Sequence, residues 1–356
     1  MKSIKESINK IPIIISQMHG KAFAISETDA DKFYSNPQKL VDGIISVYEN
    51  YDFNLPILGY DVYNIEAEAI GQEVIYSKNS SPQLNIKNKI IKNIEDFSKI
   101  KLSDNIEDNG RFSFVIKSVQ EFINKTGYVP YLQFTAPFSL ASQLYGLENL
   151  IFDMMGKPDF VHKFMRKLNK EILIPWINYQ KYKFPNSKAV LGADAFASPP
   201  NLTLSMLKEF VLPYIEELKE KCGKNVGVVN WWGDSYFKDP IEFYNLKKKV
   251  SPNEKLIRIQ DPDLNKLDLD KIVDYINNNN LSLTLGLGAQ VLSNGNKNEI
   301  TERIDKYILA GEKIEDFNLY FCNIGSDTND DIIRYAIKRA RTEIIKNKFW
   351  YYNKVQ

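Results

Sequence analysis

Eight short, β-rich apolar runs, each followed by a longer segment with helical spacing, constrain this chain more than any other feature. The runs are Pro12–Ser16, Leu55–Tyr60, Tyr128–Phe134, Ala189–Ala193, Val226–Val229, Lys255–Ile259, Leu281–Leu285 and Leu319–Phe321. Most lack polar/apolar alternation, as expected of strands buried on both faces. Between them, helical periodicity predicts helices over Pro37–Tyr51, Leu140–Leu147, Lys157–Tyr182, Leu204–Lys221, Leu269–Asn277, Lys297–Leu309 and Asp330–Lys346. Strand and helix alternating in this way predict an α/β fold, a (β/α)8 TIM barrel with an N-terminal extension. The polar, Asn- and Lys-rich segment Lys78–Asn124 predicts an insertion of helix and loop after the second strand. No 20–50-residue repeat and no linker-like stretch divides the chain, which predicts one domain over residues 1–356.

The helix expected after the fourth strand shows the local logic. Pro199–Pro200 cannot continue a ladder, and Thr203 can cap the helix that follows. Leu204, Leu207, Phe210, Val211, Tyr214 and Leu218 form an apolar stripe, and Gly223 stops the helix.

Composition excludes several classes of function. Hydrophobic residues at 44% and charged residues at 26% exclude a disordered chain. With 46 Lys+Arg against 45 Asp+Glu, nothing marks a binder of nucleic acid or of an anionic membrane. No apolar run approaches the roughly 18 residues of a spanning helix, and the N-terminus lacks a small-residue cleavage site. Two cysteines, Cys222 and Cys322, cannot build a disulfide framework and suggest a reducing cytoplasm.

In such a barrel, the residues that reach a ligand lie just past the C-terminal ends of the strands. That rule selects Gln17, Met18, His19 and Gly20 after strand 1, and Asp61, Tyr63 and Glu66 after strand 2. It selects Gln133 and Thr135 at strand 3, Asp194 at strand 4, and Asn230, Trp231, Trp232 and Asp234 after strand 5. Strand 6 supplies Gln260, Asp261 and Asp263, strand 7 Gly286-Leu287-Gly288 and Gln290, and strand 8 Cys322 and Asn323.

Several segments resemble the uroporphyrinogen decarboxylase superfamily, which also contains corrinoid-dependent methyltransferases such as methylcobamide:coenzyme M methyltransferase. They are Tyr60-Asp61-Val62 with Glu66-Ala67-Glu68-Ala69-Ile70-Gly71, and Ala136-Pro137-Phe138-Ser139-Leu140-Ala141 with Leu144-Tyr145-Gly146. Further on stand Glu209-Phe210-Val211-Leu212-Pro213-Tyr214, and Cys322 with Asp327-Thr328. The resemblance runs over nearly the whole chain and implies the same barrel. Its departures bear on substrate. The decarboxylase branch holds a substrate of eight carboxylates with an arginine-rich segment after strand 1, a task suited to guanidinium forks. Here that stretch reads Gln17-Met18-His19-Gly20-Lys21, and the chain has only seven arginines. The thiol-methylating branch holds zinc with a His-x-Cys pair after strand 5 and a Cys after strand 8. Here the pair reads Asn230-Trp231-Trp232 and only Cys322 survives, so no family zinc site is expected. A variant site would need His19, Glu66 and Cys322 to converge, against the plainer reading of Cys322 as a small buried hydrophobe.

Trp231 and Trp232 suggest an aromatic pocket where the metal would sit, completed by Tyr63 or Tyr60. Such a box suits a flat ring or a methylated ammonium group. Neighbouring strand residues point opposite ways, so one tryptophan of the pair is expected in the core. Asp194 and Asp234 are candidates for a carboxylate pair sharing a proton. Gly286-Leu287-Gly288 reads as a tight turn, and Lys247-Lys248-Lys249 as a solvated helix end.

Together these features lead to a methyltransferase moving a methyl group from an O- or N-methylated small molecule to a corrinoid on a partner protein. Asp61, His19, Asp234 and Asp194 are the candidate catalytic residues. Tyr63, Asn230, Trp231, Trp232, Gln260 and Gln290 are the candidate substrate contacts. The corrinoid partner follows from the resemblance only, as does a homodimer. The alternatives are a tetrapyrrole decarboxylase, disfavoured by the missing arginines, and a non-catalytic ligand-binding barrel.

Overall fold

The computed structural model describes residues 13–51, 53–78 and 80–346; the expected N-terminal extension lies outside them. Ten strands follow in chain order: β1 (Ile13–Ser16), β2 (Leu55–Pro56), β3 (Val74–Ser77), β4 (Ser80–Leu84), β5 (Leu132–Thr135), β6 (Val190–Ala193), β7 (Val226–Val228), β8 (Leu256–Gln260), β9 (Ser282–Leu287) and β10 (Phe317–Phe321). Eight of them, all but β3 and β4, coincide with the apolar runs of the sequence.

These eight form two parallel arcs, β2-β1-β10-β9-β8 and β5-β6-β7. The first and last strands of the described residues, β1 and β10, are neighbours, with Ile15 level with Tyr320 and Ser16 with Phe321. Side chains bridge the arcs where no ladder does. Gln133 Nε2 donates to the Leu58 carbonyl at 2.8 Å across one seam, and the Gly233 N–H donates to Asp263 Oδ2 at 2.8 Å across the other. Gly286 lets the inner wall close, because a Cβ there would stand 2.5 Å from Gln260 Cβ and 2.8 Å from Cys322 Sγ. It is therefore a close-approach glycine within β9, not the tight turn expected.

Proline accounts for most departures from the expected elements. The second strand ends at Pro56 rather than Tyr60, since proline has no N–H for the ladder and Gly59 then turns back to the Ile57 carbonyl. The long helix expected over Lys157–Tyr182 is Pro158–Leu168 and Ile174–Lys183 joined by a π-turn, Asn169–Leu173. Pro175 cannot give the hydrogen bond an α-helix needs there, and the wider turn absorbs the defect. Likewise Pro213 splits the Leu204–Lys221 helix into Leu204–Phe210 and Leu212–Cys222, with Thr203 capping Met206 N as expected.

The insertion differs more. It begins with an antiparallel hairpin of β3 and β4, and its helical part, Phe112–Thr126, returns the chain to β5 with Phe112, Val115, Val119 and Phe122 buried. Lys247 is also unlike its sequence reading: it is buried, and its ammonium reaches both oxygens of Asp234 at 2.8 and 3.0 Å.

Candidate functional site

The C-terminal ends of both arcs surround a cavity of about 860 Å³. Its wall takes His19 from the start of the helix His19–Ile25 after β1, Tyr60, Asp61 and Tyr63 after β2, Gln133 from β5, Asn230 and Trp232 after β7, Gln260 from β8 and Asn323 after β10. The β3–β4 hairpin covers one side with Ser81, Pro82, Gln83 and Leu84.

Asp61 does not stand alone among neutral groups. Arg111, one residue ahead of the helix Phe112–Thr126, grips it with both Nη atoms, Nη1–Oδ1 at 3.0 Å and Nη2–Oδ2 at 2.7 Å. Its Nε reaches Glu68 at 2.5 Å. Burial opposes charge on Arg111, but the two carboxylates outweigh it and hold its pKa above the ordinary value. Arg111 thus holds both oxygens of Asp61, and because it is shared with Glu68 the three groups keep one formal negative charge. A bound carboxylate of this kind is better suited to orienting than to accepting a proton.

His19 brings an imidazole to the cavity wall. Burial lowers its pKa, with partial opposition from the Asp61 charge, so the imidazole is neutral near pH 7. Its Nδ1 lies 3.2 Å from the Tyr34 hydroxyl, itself 2.9 Å from Ser81 Oγ. That chain fixes the ring and leaves Nε2 for a ligand.

Tyr63 is held by two donors. Its hydroxyl accepts the Ala195 N–H and the Asn230 amide, each at 3.0 Å, and burial pushes its pKa up to about 12. The phenol therefore keeps its hydrogen, with both donors on its oxygen. Asn230 spends its carbonyl on the Asp194 N–H at 2.8 Å, which makes it a positioning residue for Tyr63.

The other expected site residues lie elsewhere. Asp194 is fully buried, accepting from Ser139 N and Oγ at 3.0 and 2.8 Å and from Trp231 Nε1 at 3.0 Å. Asp234 is fully buried on Lys247, so the two aspartates are bound up separately and form no proton-sharing pair. Trp231 stacks on Phe243 in the core while Trp232 lines the cavity, the division expected of the pair although both stand in the loop beyond β7. Gln290 is exposed on the short helix Ala289–Asn294 and does not reach the cavity.

The residues proposed for a variant metal site do not converge. Glu66 is buried with Oε1 on the Thr135 N–H at 3.1 Å, and burial raises its pKa to about 7. Cys322 donates its thiol to Gln260 Oε1 at 2.9 Å. Burial holds that thiol well above the usual range. Among the described residues no group of three or more His, Cys, Asp or Glu could hold a metal ion. The donor set does not fit zinc.

Several cavity residues escaped the sequence reading, among them Phe196, the hairpin residues and, most consequential for charge, Arg258. Arg258, in the middle of β8, faces inward, and its guanidinium carbon lies 4.7 Å from the centre of the Tyr320 ring. The selection rule looked only beyond the strand ends, whereas Arg258 sits two residues before Gln260. The signal available was an arginine inside an otherwise apolar strand of a chain with few arginines.

Parallel strands whose C-terminal ends ring one cavity define an α/β protein of the kind that binds small molecules at the strand ends. The sequence matches the family described as Uroporphyrinogen decarboxylase (URO-D) over residues 4–325, and the chain belongs to that family. It is 24% identical over 202 residues to a methylated-thiol–coenzyme M methyltransferase of Methanosarcina mazei, covering 56% of this chain and 52% of that relative. The match thus spans about half the length of the curated relative. A solved methyltransferase from Methanosarcina mazei superposes with a TM-score of 0.75 at 15% identity over 95% of each chain, a likeness of fold.

Proposed function

We propose that the protein is a methyltransferase that passes a methyl group from an O- or N-methylated small molecule to a corrinoid on a partner protein. The two arcs in this reading close as an eight-stranded barrel around the cavity. Family membership and the methyltransferase relatives support the reaction class. The observation that carries it here is the cavity, with aromatic walls at Tyr63, Phe196 and Trp232 and a neutral imidazole beside an arginine-held carboxylate.

A corrinoid presented by the partner protein would supply the cobalt that accepts the methyl group. The chain's own residues bind and orient the donor. Trp232, Tyr63 and Phe196 pack its body, and a fixed donor geometry removes much of the entropic barrier. His19 Nε2 and the Tyr63 hydroxyl are the groups able to hydrogen-bond an oxygen leaving group. A quaternary ammonium donor leaves as a neutral amine and needs neither. No step passes through zinc, since Asn230 and Cys322 are committed to Tyr63 and Gln260.

The test is to mix the purified protein with cob(I)alamin and a panel of methyl ethers, methylated amines and methyl thioethers, and follow the cobalt absorbance. Conversion to methylcobalamin with an ether or amine supports the reading. No change with any donor favours a non-catalytic barrel, and turnover of uroporphyrinogen favours the decarboxylase.

A further inference from the structure

Arg258, half-buried, stands apart from the charged residues around the cavity. Asp61 has Arg111, Asp234 has Lys247, and Asp261 has Arg303 at 2.7 Å. Among the described residues Arg258 makes no ion pair, and its Nε is buried without a hydrogen-bond partner. It opens into the cavity over Tyr320, with Tyr131 also on the lining. The one carboxylate on the lining, among the described residues, is Asp61, whose two oxygens Arg111 already holds. The cavity floor thus holds a half-buried guanidinium with no carboxylate paired to it, placed to receive the anion of a ligand.

Neighbouring amides are set to give hydrogen bonds there. Gln260 faces inward one pleat above Arg258, about 6.6 Å along the strand. Its Oε1 is taken by the Cys322 thiol, which leaves the Nε2 hydrogens. Asn323 accepts the Tyr320 hydroxyl at 3.1 Å through Oδ1, which likewise leaves its amide hydrogens. Both residues line the cavity. A planar guanidinium with amide donors above it matches a carboxylate.

We propose that Arg258, with Gln260 and Asn323, forms an anion subsite in the cavity floor, and that the methylated substrate carries a carboxylate. This rests on the methyltransferase reading for the word substrate, though not for the binding. The carboxylate seats on Arg258, the body of the molecule passes Tyr63 and Phe196, and the methyl group faces the mouth near Trp232. Bare quaternary ammonium donors are disfavoured by the same charge, whereas methoxy acids and betaines satisfy it.

Titration calorimetry without any corrinoid tests the subsite. The probes are 4-methoxybenzoate, its uncharged amide 4-methoxybenzamide, and glycine betaine. The wild type is expected to bind at least one of the two acids, and the benzoate about 10- to 100-fold more tightly than its amide, the range of hydrogen bonds to charged groups. Arg258→Gln abolishes that preference, and Arg258→Lys retains part of it. Equal affinity of the wild type for acid and amide, an unchanged preference in Arg258→Gln, or no binding of either acid overturns the proposal. Should Arg258→Gln not fold, the wild-type comparison and Arg258→Lys decide. Acid preference without methyl transfer would count against the methyltransferase reading alone, and methyl transfer from neutral ethers without acid preference against the subsite alone.

Discussion

Asp61 and Arg111, 50 residues apart in the chain, form a two-pronged ion pair at the cavity wall, with side chains 3% and 8% exposed. The pair ties the loop after β2 to the start of the helix leading into β5. It therefore shapes the cavity while withdrawing Asp61 from proton transfer.

Breaking that pair from one side leaves a buried charge without a partner. Arg111→Met is expected to lower stability by about 3–5 kcal/mol in urea unfolding. Removing both charges, as Arg111→Met with Asp61→Leu, restores much of the loss. A single variant of wild-type stability would mean that the pair is not held as described.

The adjacent tryptophans should separate cleanly. Trp231 is buried at 1% exposure, stacked on Phe243 and bonded to Asp194, so Trp231→Ala costs about 3–5 kcal/mol of stability. Trp232→Ala leaves the melting temperature nearly unchanged and weakens binding of an aromatic ligand by about 10-fold, the worth of one ring contact. Thermal denaturation and calorimetry on the two variants check both statements.

Glu66 gives the protein a pH dependence of definite sign. Burial raises its pKa to about 7 when folded, against about 4.3 for an unfolded glutamate. Between these values the folded state holds a proton that the unfolded state has lost. Its contribution is complete below about pH 4.3 and disappears as the pH rises through 7. Glu66→Gln should therefore flatten the fall in melting temperature between pH 5 and 7.5. An unchanged pH profile in the variant would contradict the assignment.

His19 is expected to matter for one class of donor only. With an ether donor the departing oxygen needs a hydrogen bond or proton, and His19→Gln slows methylcobalamin formation by about 100-fold. With a betaine the leaving group is a neutral amine, and the same variant retains its rate within a few-fold. Initial rates for the two donors in parallel check the contrast.

Much of the framework was legible in the sequence because it depends on local patterns. The helices Pro37–Tyr51 and Asp330–Lys346 lie where the periodicity puts them, and Thr203 caps as its position predicts. The cavity residues His19, Asp61, Tyr63, Asn230, Trp232 and Gln260 were reachable because strand C-termini point one way. What was not legible depends on partners distant in the chain. Arg111 resembled part of a polar insertion until it met Asp61, and Lys247 a solvated lysine until it met Asp234. The β3–β4 hairpin was missed because Ser77, Ser80 and Pro82 carry little β propensity. Asp194 and Asp234 satisfied the positional rule, yet neutral donors and a lysine claim them from behind the wall.

The most direct test follows the methyl group itself. A donor bearing a ¹³C-methyl, 4-methoxybenzoate or glycine betaine, is incubated with the protein and cob(I)alamin, and the label is traced by carbon NMR. The account predicts a cobalt-bound methyl signal growing as the donor signal falls, with one demethylated product per methyl transferred. Label remaining wholly in the donor, or loss of the donor's carboxylate as carbon dioxide with the methyl still attached, would contradict it.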